Sequence, residues 1–181
     1  MNENKYPAAV TVGYISIFIS LFIFVLVWSG WIVTTLPEWG PYQLIFDGML
    51  IGAGIFALSN KDKADSILFL TLGTFWEAMM LRNFWYPALP ANTGISVLDG
   101  WICLLLTIVT LCLLFVSLKG DFFRKLFLLT MSLVYLCIAI GNLFNSMFFM
   151  SVFVFLGLIA AILAGIYGIS TIVDFGKFKK A

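Results

Sequence analysis

Six long apolar stretches dominate this chain, at roughly Ala8–Thr34, Tyr42–Leu58, Ser66–Leu81, Leu98–Leu118, Leu126–Ile140 and Met147–Val173. A helix needs about 20 apolar residues to cross a bilayer core, and the shorter stretches meet that need through local thinning or protein cover. The chain therefore reads as an all-α membrane protein with six transmembrane helices. In 181 residues, six spans leave almost nothing for a soluble part, so positions 1–181 form a single transmembrane domain. The longest stretch between spans lies near Arg82–Val97.

Charge sets the expected orientation. Lys5, Lys61, Lys63, Lys119, Arg124, Lys125, Lys177, Lys179 and Lys180 fall in the N-terminus, the second and fourth connections and the C-terminus. Of the 10 basic residues, Arg82 alone lies on the other side. Cytoplasmic loops carry the excess of Lys and Arg, which predicts that both termini are cytoplasmic. Trp28, Trp31, Trp39, Trp76, Trp85 and Trp101 all map to the outer half of the same topology. Indole rings favour the headgroup boundary, so the two signals agree. The expected location is the plasma membrane, or the inner membrane in a Gram-negative cell, with lipid as a partner. A net charge of +1 carries no message about nucleic acid, and none is expected as a partner.

Several chemistries are excluded or disfavoured. The chain has no histidine, which removes imidazole metal ligands, histidine-based triads and histidine proton relays. No glycine-rich phosphate loop or paired-cysteine metal motif occurs, and no cofactor is indicated. Cys103, Cys112 and Cys137 sit within spans as small apolar fillers rather than as a disulfide framework. The first stretch is too long for a signal peptide, and Thr34-Thr35-Leu36-Pro37 is no small-residue cleavage site. Without a cluster of polar catalytic residues, the chain is not expected to be an enzyme.

Breakers and small residues organise the spans. Leu36-Pro37-Glu38-Trp39-Gly40-Pro41 reads as the turn that ends the first helix. Lys119-Gly120-Asp121 joins the fourth and fifth helices, and Gly141-Asn142-Leu143-Phe144-Asn145 the fifth and sixth. Gly48 and Gly52 form a GxxxG, and the sixth stretch carries Gly157/Ala161/Gly165 and Ala160/Ala164/Gly168. Four-residue spacing puts each ladder on one face, where backbones approach closely within the bundle or between subunits.

Polar groups inside spans are costly and therefore informative. Asp47, Glu77 and Asp99 lie toward the outer ends, where a carboxylate reaches water easily. Asp47 and Asp99 read as interfacial carboxylates near helix starts, favoured by the helix dipole. Glu77 precedes Arg82 by five residues, which is off the same-face spacing. Two readings stand for them. Arg82 draws anions to an outer vestibule while Glu77 orients it or carries a proton, or the two belong to structural pairs with other helices. Thr71, Thr74, Ser132, Asn142 and Asn145 are neutral polar candidates for lining a path, with helix capping as the alternative at Asn142.

Three strings share one resemblance: Leu72-Gly73-Thr74-Phe75-Trp76, Leu118-Lys119-Gly120 and Ala139-Ile140-Gly141-Asn142. In order and at these separations they resemble the acetate uptake transporter family, the YaaH-like acetate/succinate channels. The match runs without gaps from about Ile51 to Gly168. The resemblance implies a six-helix protein that assembles as a homohexamer, with a path through each protomer for acetate and similar small monocarboxylates. It also implies a hydrophobic constriction of three side chains. Two map to Leu72 and Met131; the third is Ile17 in an ungapped register, or Tyr14 if a short deletion is allowed. The chain departs from the pattern at its N-terminus. Tyr6-Pro7-Ala8-Ala9 only faintly echoes the family's Asn-Pro-Ala-Pro-Leu-Gly string, and Leu72 stands where an aromatic residue is expected.

The expected function is a channel or proton-linked transporter for small monocarboxylates, gated by a constriction that excludes water. The alternative is a channel for a small neutral solute of the amide or urea kind. A third class is a non-transporting membrane protein, either an assembly partner or a small enzyme, the latter disfavoured by the absence of a catalytic cluster.

Overall fold

A computed structural model of the chain describes residues 7–33, 36–60, 62–85, 94–117 and 121–178. The described residues form six helices: α1 (Pro7–Trp28), α2 (Leu36–Ser59), α3 (Lys63–Trp85), α4 (Gly94–Val116), α5 (Phe122–Leu143) and α6 (Met147–Phe178). All six are long and apolar enough to cross a membrane. The protein is a multi-pass, all-α membrane protein. Short connections make consecutive helices antiparallel neighbours, as they do in soluble bundles.

The first turn of α2 differs from the sequence expectation. Leu36–Pro41 is helical and opens α2 rather than only closing α1. The physical reason is that first-turn N–H groups have no acceptor within the helix, so Pro37 gives up nothing there. Pro41 lies a turn further in and forgoes one backbone bond near the helix end.

The helices form a ring in chain order. Each packs on its sequence neighbours, α1 closes the ring against α6, and the α3–α4 joint is the thinnest. The two small-residue ladders of α6 belong to the interior of this ring. A side chain on Gly157 would strike Val25 of α1, one on Gly165 would meet Phe18, and one on Gly168 would meet Ile15. Ala160, Ala161 and Ala164 are wholly buried. The GxxxG of α2 does the opposite, since nothing lies within 4 Å of a Cβ built on Gly48 or Gly52. Gly52 lines an apolar groove of about 450 Å³ on the outside of the ring, with Ala8, Val12, Met49 and Phe56.

Gly73 supplies the tightest seam near the centre. A Cβ there would lie 3.1 Å from the backbone oxygen of Asp47 and 2.7 Å from the Ile51 side chain. The absence of a side chain lets α3 lie directly on the backbone of α2. The outer circumference is apolar, with Ile45, Phe56, Leu105, Phe115, Phe155 and Ile169 exposed. Side chains of this kind on a water-soluble protein would form an adhesive surface; against lipid they are at rest.

One end of the ring carries Lys63, Arg124 and Lys125, with Lys177 in the last turn of α6. The other carries Trp28, Trp39 and Trp101, with Trp31 just past α1. These are the basic end and the tryptophan end. Lys5, Lys61, Lys119, Lys179, Lys180, Tyr6 and most of the connection after Trp85 lie outside the described residues.

Candidate substrate path

Three helices that run in the same direction, α1, α3 and α5, send side chains into the middle of the ring. Their layers can be followed from the basic end. At that end Asp62 accepts from the backbone N–H of Asp65 at 3.2 Å, and Asp121 accepts from those of Phe123 and Arg124 at 2.7 and 3.3 Å. These caps fix the first turns of α3 and α5. They set Asp65 and Arg124 face to face, with Arg124 Nη2 2.7 Å from Asp65 Oδ1. The Tyr14 hydroxyl of α1 donates to the same Oδ1 at 3.2 Å.

The ring of Tyr14 begins the next layer. It meets Phe69 edge-on at 5.2 Å between centroids, Phe127 at 5.6 Å and Tyr167 of α6 at 4.6 Å. Edge-to-face packing of this kind is the favoured aromatic geometry. One helical turn, about 4.5 to 6 Å, toward the tryptophan end brings Ile17 above Tyr14, Leu72 above Phe69 and Met131 above Phe127. All three are essentially fully buried and belong to the same core as Tyr14. A further turn brings Phe75 and Tyr135, whose rings lie 6.2 Å apart, and Ser20 on α1.

Ser20 belongs to a polar cluster between α1 and α2. Its hydroxyl donates to Asp47 Oδ1 at 2.7 Å, Gln43 Nε2 donates to the same oxygen at 3.2 Å, and Gln43 Nε2 also donates to Ser20 Oγ. Asp47 is 0% exposed, so the expectation of an interfacial carboxylate is corrected here. The cause is the early start of α2, which sets Asp47 about three turns inside its helix instead of one. Buried Ser16 Oγ, Gln43 Oε1 and Tyr135 OH have no hydrogen-bond partner.

The remaining candidates scatter. Arg82 Nη1 donates to both carboxylate oxygens of Asp99, at 2.6 and 2.7 Å, across the thin α3–α4 joint. Asp99 is thus the pairing carboxylate that the structure sets before Arg82, and it is more than a helix-start charge. Glu77 is half-buried five residues earlier on α3. Thr71 is half-buried. Thr74 is exposed and hydrogen-bonded to Leu70 O of its own helix, two residues and about 200° round from Leu72. Ser132 donates to Thr110 Oγ1 at 2.9 Å and so ties α5 to α4. Asn142 is half-buried in the last turn of α5, and Asn145 is exposed in the α5–α6 connection with φ +50°.

Sequence reading passed over Asp65 and took Arg124 only as an orientation signal. A clue was present in Asp62-Lys63-Ala64-Asp65 and Asp121-Phe122-Phe123-Arg124, each an N-cap aspartate followed three residues later by a charge. Among the described residues no cluster of His, Cys, Asp or Glu could hold a metal ion.

Fold and axis together define a class: a six-span helical membrane protein whose centre is closed by side chains instead of by helix contact. The same fold is seen in the bacterial acetate channel SatP. That structure matches with a TM-score of 0.81 over 93% of this chain and 93% of that chain, at 16% identity. No family model and no curated protein matches the sequence. An identity this low shows a shared fold. It is the fold that the three short strings suggested.

Proposed function

We propose that this chain belongs to the acetate uptake transporter family and forms a path for acetate and similar small monocarboxylates through the centre of each protomer. The observation that carries the reading is the layering of the axis. An apolar layer of Ile17, Leu72 and Met131 is set between the Asp65–Arg124–Tyr14 cluster and the Ser20–Gln43–Asp47 cluster. Such a layer excludes water when closed, and polar groups on both sides rehydrate a small anion as it leaves. In this reading Ile17, level with Leu72 and Met131, is the third constriction residue, and the Tyr14 ring lies one layer toward the basic end. SatP shares the fold and is an acetate channel, which adds support.

The basic end faces the cytoplasm and the protein sits in the plasma membrane, with lipid against its apolar circumference. Association as a homohexamer uses the open Gly48/Gly52 face of α2 and the groove beside it that Gly52 lines with Ala8 and Val12 of α1. An anion entering against an inside-negative potential meets about 2.3 kcal/mol per 100 mV, and co-transport of a proton removes that term. Labelled acetate uptake into proteoliposomes, with and without a pH gradient, tests the reading. Saturable flux displaced by unlabelled formate or lactate supports it. Flux of urea with none of acetate sinks it in favour of a neutral solute.

A further inference from the structure

The Asp65–Arg124 pair is an unusual way to hold a helical bundle together. Asp65 is 2% exposed, yet its single oxygen Oδ1 serves both Arg124 Nη2 and the Tyr14 hydroxyl. The guanidinium is only half used by this pair. Arg124 Nε is buried and has no hydrogen-bond partner, although Nε and Nη2 together form the fork that receives a carboxylate side-on. The Arg124 side chain is 17% exposed, at the end of the axis that also carries Lys63 and Lys125. Its counter-ion is bonded to the residue whose ring plugs the axis against Phe69 and Phe127.

We propose that Arg124 is the docking residue for a small monocarboxylate at the basic end of the path, and that Asp65 is a built-in competitor that keeps this site closed. The proposal rests on the transport reading above. A carboxylate that takes Nε and Nη2 displaces Asp65 from Nη2 and satisfies the orphaned Nε–H. Asp65 Oδ1 then retains only the Tyr14 hydroxyl, and the Tyr14 ring is no longer anchored through Asp65 to α5. The arriving substrate thereby loosens the aromatic layer that lies in front of it. A neutral amide of the same size lacks the charge to exchange with Asp65.

The test uses the full-length protein and two separate readouts. Ligand-detected NMR of purified protein in detergent gives the half-saturating acetate concentration, and proteoliposomes give flux. Arg124→Gln is expected to raise half-saturation about tenfold or more, the loss of a charge-assisted contact. Asp65→Asn is expected to lower it by about threefold or more, because the competitor is gone. The double variant should match Arg124→Gln, since Asp65 acts through Arg124. If Arg124→Gln does not fold, Arg124→Lys keeps the charge but loses the fork and should still bind acetate more weakly. Acetamide should show no dependence on either residue. Unchanged acetate binding in Asp65→Asn and in the Arg124 variant overturns the proposal, even where acetate flux of the parent protein leaves the transport reading intact. The expected binding shifts in a protein without acetate flux would retain the site and remove the transport reading.

Discussion

At the residue scale, the buried polar groups are the most exposed to test. Asp47 accepts from Ser20 and Gln43 with neither partner charged, at a depth where water does not reach. Asp47→Ala leaves the Ser20 hydroxyl without its acceptor and Gln43 Nε2 with only its bond to Ser20, and is expected to cost about 1–3 kcal/mol, read as a lower melting temperature in detergent. Ser20→Ala removes its bonds to Asp47 and Gln43 but leaves Gln43 Nε2 on Asp47, and should cost less. Met131 and Leu72 answer to a different principle. Truncation of either to Ala removes a fully buried side chain and is expected to cost about 2–5 kcal/mol. The same cavity widens the proposed constriction, so proteoliposomes should admit larger acids such as lactate more readily. A stability loss without any change in the size range of permeant acids would count against these residues as the constriction.

Between elements, two seams have different chemistry. The α2–α3 seam is steric: Gly73 lies on the α2 backbone at Asp47 and Ile51. Gly73→Val overfills it and is expected to destabilise by about 1–3 kcal/mol, with a loss of thermal stability that Gly73→Ala shows in weaker form. The α3–α4 seam is ionic, with Arg82 Nη1 donating to both carboxylate oxygens of Asp99 where the helices otherwise hardly touch. Arg82→Ala leaves a largely buried carboxylate without its cation. A loss of about 1–3 kcal/mol is expected, and Arg82→Lys should restore part of it. Unchanged melting of Arg82→Ala would mean that α3 and α4 are held by lipid and by their other neighbours alone. The spans themselves were legible because each is a continuous apolar run. Their ends were not, and the α2 start shows why. Pro37 and Pro41 look like a break, yet Pro37 in the first turn forgoes no backbone bond and Pro41 only one, so the same letters suit a turn or a helix start.

For the whole molecule, the small-residue ladders divide into two kinds that the sequence writes alike. Those of α6 are consumed inside the protomer by Val25, Phe18 and Ile15 of α1, while Gly48 and Gly52 of α2 meet nothing. Gly52→Leu is therefore expected to leave the helix content of the protomer unchanged. If the open groove seats a neighbouring copy, native mass spectrometry should show a shift toward smaller species. An unaltered assembly mass would move the contact to another face. The Gly157→Leu counterpart should instead disrupt the protomer, because its side chain would enter the Val25 contact of α1.

The sequence by itself determined the class of molecule: six spans, their order, and a charge pattern that distinguishes the two ends. These are sums over many residues, and no single misreading changes them. The family resemblance, and not the residues read alone, pointed to Leu72 and Met131, which the structure buries in the core. Only the tertiary structure decided which polar residues meet. Asp65 and Arg124 lie on different helices, far apart in the chain, and each alone is indistinguishable from an ordinary charge near a membrane surface. The ring of helices, together with the Asp62 and Asp121 caps, turns them toward one another. Depth is the other quantity that the letters do not carry. Asp47 passes from the interface to the interior because α2 begins earlier than its prolines suggest, and because Gly73 lets α3 close over it.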